Sequence, residues 1–340
     1  MLVDQLNRPI HDLRISVTDR CNFRCGYCMP KDKYGRHHQF LKRNELLTFE
    51  EIEAVSRVFV SLGVVKIRLT GGEPLIRNDL ESLIKRLSSI QGLKDISLTT
   101  NASLLTAKRA ASLREAGIQR INISLDALDD ITFGRLNGIG YPVSDVLAGI
   151  DNARKTGFEQ IKVNMVVQKG QNEASILPMI DHFSGSGVIL RFIEFMDVGN
   201  LNGWKIDSVF TAQQIKTLIE TQYKITPLEA NYRGEVAKRW RLVDEANAGK
   251  PLELGLISSV TEPFCGECSR ARLSAIGEIY TCLFASKGHD LRRVIRQSNQ
   301  PTGLIQAIEK LWTNRQDRYS EIRGEAGVST QKVEMSYIGG

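Results

Sequence analysis

The 340-residue sequence has no apolar run approaching the roughly 20 residues that a membrane span requires, and its opening stretch, MLVDQLNRPIHDLRIS, lacks the apolar core of a secretory signal. No membrane partner is expected, and the chain is expected to be cytoplasmic. It also has no block of basic residues. Its 45 lysines and arginines against 39 acidic residues leave a formal charge of +6, spread along the chain and without a named nucleic-acid motif. No nucleic-acid partner is expected, while a small anionic substrate is permitted. Histidine and cysteine are scarce, at five and six residues. All six cysteines fall into two groups of three, and in a reducing compartment such clusters read as metal ligands rather than disulfides.

The first group, Cys21, Cys25 and Cys28, has the spacing C-x3-C-x2-C, and the second, Cys265, Cys268 and Cys282, has C-x2-C-x13-C. Three thiolates are one short of a closed structural zinc site. They are also one short of a fully protein-ligated iron-sulfur cube, so that a cube held there would keep one iron open to something other than the protein. Spacing alone leaves two readings. The first group is either a zinc knuckle completed by His37 or His38 or an open cluster site. The second is either a zinc ribbon lacking a ligand or another open cluster.

With 42 % hydrophobic and 25 % charged residues, the composition is that of an ordinary globular protein, and the length predicts one large domain with a smaller companion. Short β-branched runs alternate with amphipathic stretches from residue 13 to about 195, which predicts parallel βα units. The expected strands are 13–17, 65–69, 95–99, 120–125, 160–167 and 189–195. Thr48 with Glu51 and Asn78 with Glu81 predict helix starts, and Gly117 and Gly157 predict helix ends. Periodicity permits either an open doubly wound sheet or a barrel. The unusual residues follow successive strands: the cysteine loop, TGGEP (70–74), TTN (99–101), SLD (124–126) and EFMDVG (194–199). Their placement favours an α/β fold with a partial or incomplete (β/α) TIM-type barrel, which gathers such loops at one mouth. The expected division is a barrel core over 1–203, a smaller C-terminal α+β domain over 204–323 that carries the second cysteine group, and an extended tail over 324–340. Within the second part, a helix opening at Thr211 and Gln214, strands at 234–243 and 254–260, a hairpin turning near Gly277, and helices at 287–297 and 302–315 are expected.

The run CNFRCGYC resembles the signature of the radical S-adenosylmethionine superfamily, with aromatic Tyr27 ahead of the third cysteine, and Gly71-Gly72-Glu73 resembles its second mark. The resemblance implies that Cys21, Cys25 and Cys28 hold a 4Fe-4S cluster whose open iron takes the amine and carboxylate of S-adenosylmethionine. Tyr27, Gly72, Ser124 and Met196 match positions that contact this molecule. FCGECSRARLSAIGEIYTCLF, together with FIEFMDVGN, GEVAKRWRL and a terminal Gly-Gly, resembles the GTP 3',8-cyclase family over nearly the whole chain. That resemblance implies a second 4Fe-4S cluster on Cys265, Cys268 and Cys282 with its open iron on the guanine of GTP. Arg270 and Arg272, spaced to reach one side of an extended segment, would then hold the triphosphate with Arg14. Arg68, Thr99 and Lys162 match further GTP contacts, and Gly339 and Gly340 match an activating tail that reaches back into the site.

The implied reaction is the first step of molybdenum cofactor biosynthesis. A 5'-deoxyadenosyl radical takes the ribose 3' hydrogen, the carbon radical adds to guanine C8, and reduction gives 3',8-cyclo-7,8-dihydro-GTP. The implied partners are an electron donor such as flavodoxin or ferredoxin and a downstream pathway enzyme; a homodimer is left open. One departure is visible, since the family's usual TTNG becomes Asn101-Ala102-Ser103 here, which is expected to alter the loop after the third strand and weakens the match at Thr99. The alternatives are another radical S-adenosylmethionine enzyme with an auxiliary cluster, such as a peptide-modifying maturase, and a non-catalytic zinc protein that binds nucleic acid.

Overall fold

The computed structural model describes residues 2–243, 251–297, 301–323, 325 and 331–339. Its first half is a run of βα units. Strands β1 (Asp12–Ser16), β2 (Lys66–Thr70), β3 (Asp95–Thr100), β4 (Arg120–Ser124), β5 (Gln160–Val167) and β6 (Ile189–Glu194) are separated by α1 (Phe49–Ser61), α2 (Leu80–Ser88), α3 (Ala107–Ala116), α4 (Asp130–Asn137), α5 (Val143–Thr156) and α6 (Ile176–Phe183). There follow α7 (Ala212–Glu220), β7 (Lys224–Leu228), β8 (Lys238–Val243), β9 (Leu252–Ile257), β10 (Arg270–Leu273), β11 (Glu278–Tyr280), β12 (His289–Asp290), α8 (Arg292–Gln297), α9 (Thr302–Thr313) and α10 (Met335–Ile338). No helix among the described residues is long and apolar enough to cross a membrane.

One sheet takes in every strand, in the order β12-β11-β10-β1-β2-β3-β4-β5-β6-β9-β8-β7. The stretch from β10 through β6 to β9 is parallel, and antiparallel strands extend both edges. This is a partial barrel. The chain beyond residue 203 adds strands to both ends of the sheet, so that β10 lies beside β1 although about 250 residues separate them.

Side chains alternate across each strand. In β1, Leu13 and Ile15 are fully buried among the helices, as are Ile67 and Leu69 in β2, Ile121 and Ile123 in β4, and Leu190 and Phe192 in β6. The opposite, concave face carries Arg14, Arg68, Asn122, Lys162 and Arg191 instead. The helices therefore supply the hydrophobic core, and the barrel interior is polar.

Local signals set most boundaries. Thr48 and Glu51 form the reciprocal capping box at α1, with Glu51 N donating to Thr48 Oγ1 at 3.1 Å and Thr48 N to Glu51 Oε2 at 2.7 Å. Thr211 and Gln214 do the same at α7. Gly157 ends α5 in the left-handed region, and Gly117 ends α3 at φ +124°. The Asn78 cap does not form. Asp79, not Asn78, occupies the N-cap of α2, at φ 56° and with no side-chain cap bond, which puts Glu81 at the second helical position, where it turns to α3, pairs with Arg109 and accepts from the Ser112 hydroxyl. Three other expectations shift: the strand predicted over 234–243 begins at Lys238, that predicted over 254–260 runs Leu252–Ile257, and the helix predicted over 287–297 begins at Arg292, because His289 and Asp290 pair with β11.

Candidate active site

A single cavity at the mouth of the partial barrel is lined by all six cysteines. The first group sits on the loop after β1. Its turn is closed by Cys28 N donating to Cys25 O at 3.0 Å and Met29 N to the same oxygen at 2.8 Å, and Arg24 Nη1 holds Cys21 O at 2.7 Å. The second group sits on a short 3-10 turn ahead of β10 and on the segment after β11. Because β10 pairs with β1, two sequence-distant cysteine groups face one space.

Among the described residues, no three His, Cys, Asp or Glu side chains converge as ligands of one metal ion. Three cysteines are what an iron-sulfur cube with one open iron takes from the protein. Burial, with help from nearby Glu73, pushes the Cys21 thiol up to about 11, and burial also raises Cys25 and Cys28. Ligation there must displace protons. In the second group, burial raises Cys282 to about 12. Burial works the same way on Cys268, but the guanidiniums of Arg270 and Arg315 together outweigh it and bring that thiol down to about 6.

The GGEP loop after β2 is tied to the first group through its backbone. Gly72 N donates to Thr18 O at 2.8 Å and Glu73 N to Arg20 O at 2.7 Å. A Cβ on Gly72 would stand 2.2 Å from Arg20 O, so the close approach that requires this glycine is to the cysteine loop itself. Glu73 is buried and accepts from Thr100 Oγ1 at 2.6 Å, Asn101 N at 2.7 Å and Leu75 N at 3.0 Å. Burial nonetheless raises its carboxyl to about 7. On the far side, the Tyr27 hydroxyl donates to Asp126 Oδ2 at 2.7 Å, and Val166 N donates to Asp126 Oδ1 at 2.9 Å. Tyr27, Gly72, Ser124 and Met196 all line the cavity.

The floor is cationic. Parallel register sets Arg272 beside Arg14 and Arg14 beside Arg68, three guanidiniums on adjacent strands about 4.8 Å apart. Arg14 is held well below its usual pKa by burial and then by Arg272, Arg68 and Arg270. Burial, followed by Arg191, Arg120 and Arg68, brings Lys162 down to about 6. Such a stack of like charges with little counter-charge is stable in company with a polyanion. Three polar atoms of the lining residues also await a partner: Arg68 Nε, Thr99 Oγ1 and Asn164 Oδ1 are buried without a hydrogen bond. Each cation expected from the sequence, Arg14, Arg68, Lys162, Arg270 and Arg272, reaches this one cavity, as does Thr99.

Gly339 lies at the same mouth. Its carbonyl accepts from Arg272 Nη1, and a Cβ added to it would come within 2.4 Å of Thr70 Cγ2. Gly340 lies outside the described residues. Sequence reasoning overlooked Arg120 and Arg191 and gave no role to Asp126 of the SLD run, and all three line the cavity. The signal for Arg191 was present, since a lone arginine interrupts the apolar strand ILRFIE.

The family model of the radical SAM superfamily matches residues 15–183, and that described as Molybdenum Cofactor Synthesis C matches residues 188–321. A protein named GTP 3',8-cyclase from Xanthomonas axonopodis pv. citri is 48% identical over 337 residues, covering 99% of this chain and 98% of its own. Another of that name, from Staphylococcus epidermidis, is 48% identical over 344 residues, covering 100% and 99%. Among solved structures, Streptococcus suis SuiB bound to S-adenosylmethionine superposes with a TM-score of 0.61 at 15% identity, covering 93% of this chain and 68% of that one. At that identity the likeness concerns the fold.

Proposed function

The chain belongs to the GTP 3',8-cyclase family, and from that membership we infer that it converts GTP to 3',8-cyclo-7,8-dihydro-GTP at the cavity described above, in the first step of molybdenum cofactor biosynthesis. The observation that carries the reading is the joining of both cysteine groups and the arginine floor in one cavity. Cys21, Cys25 and Cys28 would hold one 4Fe-4S cluster and Cys265, Cys268 and Cys282 the other. When bound, the first cluster supplies the electron that cleaves S-adenosylmethionine to methionine and the 5'-deoxyadenosyl radical.

The chain's own residues then divide the work. Tyr27, Gly72, Ser124 and Met196 surround S-adenosylmethionine, with Asp126 fixing the Tyr27 hydroxyl. Arg14, Arg270 and Arg272 take the triphosphate through forked, charge-assisted hydrogen bonds. Arg68, Thr99 and Lys162 complete the nucleotide site, and the unpartnered Arg68 Nε and Thr99 Oγ1 support their part in it. Gly339 and Gly340 form an activating tail, which the Arg272 contact with Gly339 supports. Residues 1–203 serve as the barrel core and 204–323 as the region of the auxiliary cluster and GTP. The electron comes from a flavodoxin or ferredoxin, the product passes to a downstream pathway enzyme, and the work is done in the cytoplasm.

Anaerobic incubation with S-adenosylmethionine, a reductant and GTP tests this. A cyclised nucleotide formed together with 5'-deoxyadenosine is expected. Formation of 5'-deoxyadenosine with GTP left intact would point to a different radical enzyme, and protein isolated anaerobically with zinc but neither iron nor sulfide would remove the enzyme reading altogether.

A further inference from the structure

Behind the second cysteine group lies a buried ionic cluster made from the N-terminal segment and the turn after α9. Arg8 Nε is 2.6 Å from Asp4 Oδ2, and Arg315 Nη1 is 3.2 Å from the same oxygen. The Arg315 guanidinium packs on the Trp312 ring at 4.6 Å, and Trp312 Nε1 donates to Arg8 O at 3.1 Å. Arg8 and Arg315 are 1% and 4% exposed. None of the three charged residues is among those lining the cavity.

A part-exposed carboxylate, Asp317, also stands 3.4 Å from Arg315 Nε, and its main-chain carbonyl accepts from Arg8 Nη1 at 2.7 Å. Burying two guanidiniums and the Asp4 carboxylate is nonetheless costly and adds little stability over well-packed apolar side chains. What the arginines reach is therefore informative. Arg8 Nη1 donates to Cys265 O at 2.8 Å, Arg315 Nη1 to Cys268 O at 2.6 Å, and Arg315 Nη2 to Cys268 Sγ at 3.3 Å. Arg270 Nη2 approaches the same sulfur at 3.2 Å, but from the cavity wall. Arg315 is thus the donor to that sulfur that stands outside the proposed substrate contacts. Hydrogen bonds to ligand sulfurs are among the determinants of a cluster's reduction potential.

We infer that Arg315 is a positioning residue of the second cysteine group: it fixes the Cys268 main chain, donates to the Cys268 sulfur, and so makes the cluster held there easier to reduce than its three thiolates alone would. This rests on the reading that the group holds a cluster. The test uses full-length protein reconstituted anaerobically, with Arg315→Gln and Arg315→Lys. Iron and sulfide are counted, and both clusters are titrated redox-potentiometrically by electron paramagnetic resonance, the first cluster serving as internal control. In Arg315→Gln the second cluster is expected to shift to a more negative potential with an altered signal, while the first cluster keeps its own.

A loaded Arg315→Gln protein with an unshifted second cluster would overturn the proposal. Should Arg315→Gln lose only the second cluster, Arg315→Lys decides: lysine retains the charge but cannot serve carbonyl and sulfur with one fork, so a loaded protein with a shifted potential supports the role and one with wild-type behaviour overturns it. Loss of both clusters or of the fold in both variants also overturns it, since Arg315 would then act as scaffold for the whole chain. Failure of the underlying reading looks different, because wild-type protein would itself load about four irons instead of about eight.

Discussion

Ala102 adopts φ +58°, the left-handed region that a glycine occupies readily and an alanine resists by about 1–2 kcal/mol. The loop after β3 therefore keeps the backbone that a glycine would give it. The fully buried methyl recovers about 0.8 kcal/mol of that strain. Ala102→Gly should accordingly change stability by less than about 1 kcal/mol in denaturant titration. Its neighbour behaves otherwise. A Cβ on Gly149 of α5 would stand 2.4 Å from Ala102 O, so Gly149→Ala should lower stability by about 1–3 kcal/mol. A larger effect at 102 than at 149 would contradict this packing.

Lys162 offers a test through pH. Its amine loses its proton at about 6 in the folded protein, against 10.5 for an ordinary lysine. Between those values the unfolded chain binds more protons, so this residue makes stability rise with pH across that window. A triphosphate beside the amine reverses its surroundings and restores the proton. GTP binding near pH 7.5 should therefore take up close to one proton more in the wild type than in Lys162→Met, measured by calorimetry in buffers of different protonation enthalpy. Equal uptake by the two proteins would mean that no phosphate of the bound nucleotide lies beside Lys162. Lys162 was reached only through the family resemblance, and its depressed pKa was not legible at all, because after burial it depends on Arg191, Arg120 and Arg68 from three other strands.

At the scale of elements, strands and capped helices were readable because their causes are local. The β5 bounds, 160–167, coincide with the expectation, and both Thr-led capping boxes form. The cap expected at Asn78 falls one residue later, at Asp79, and Glu81 pairs with Arg109 and Ser112 on α3, information absent from its own segment. The GGEP loop shows the same limit. Gly72 was matched to an S-adenosylmethionine contact and does line the cavity, but what bars a side chain there is the Arg20 carbonyl. That contact is backbone against backbone and has little room to yield. Gly72→Ala should then cost about 1–3 kcal/mol and displace the first cysteine loop. The expected readout is a loss of close to half the iron, confined to the first cluster, with the second cluster's spectrum retained. Full iron content with unchanged thermal stability would show that the loop can move aside.

At the scale of the molecule, both ends of the chain return to the sheet that its middle builds, and the tail shows how strongly. Lys332 Nζ donates to Asp197 Oδ2 and to Asp197 O, both at 2.7 Å, and the Tyr319 hydroxyl donates to the same carboxylate oxygen at 2.6 Å. Asn200 N donates to Glu334 Oε1 at 2.7 Å, and Val333 N to Ala285 O at 2.9 Å. These bonds pin Lys332 and Glu334 to Asp197 and Asn200 in the loop after β6 and Val333 to the segment after β11, and leave Gly339 against Arg272. Charge-assisted bonds of this kind contribute about 1.5–3 kcal/mol each. Lys332→Met should therefore weaken tail docking by about 10- to 150-fold, read as faster carboxypeptidase release of the last residues. If the tail acts by placing Gly339 beside Arg272, turnover should fall while KM for GTP changes little, since the triphosphate arginines remain. The same substitution in a chain already lacking Gly339 and Gly340 should then leave turnover unaffected, because the two changes remove one interaction. A further loss in that shortened chain would mean that Lys332 acts on the barrel through Asp197 instead of through the tail it anchors.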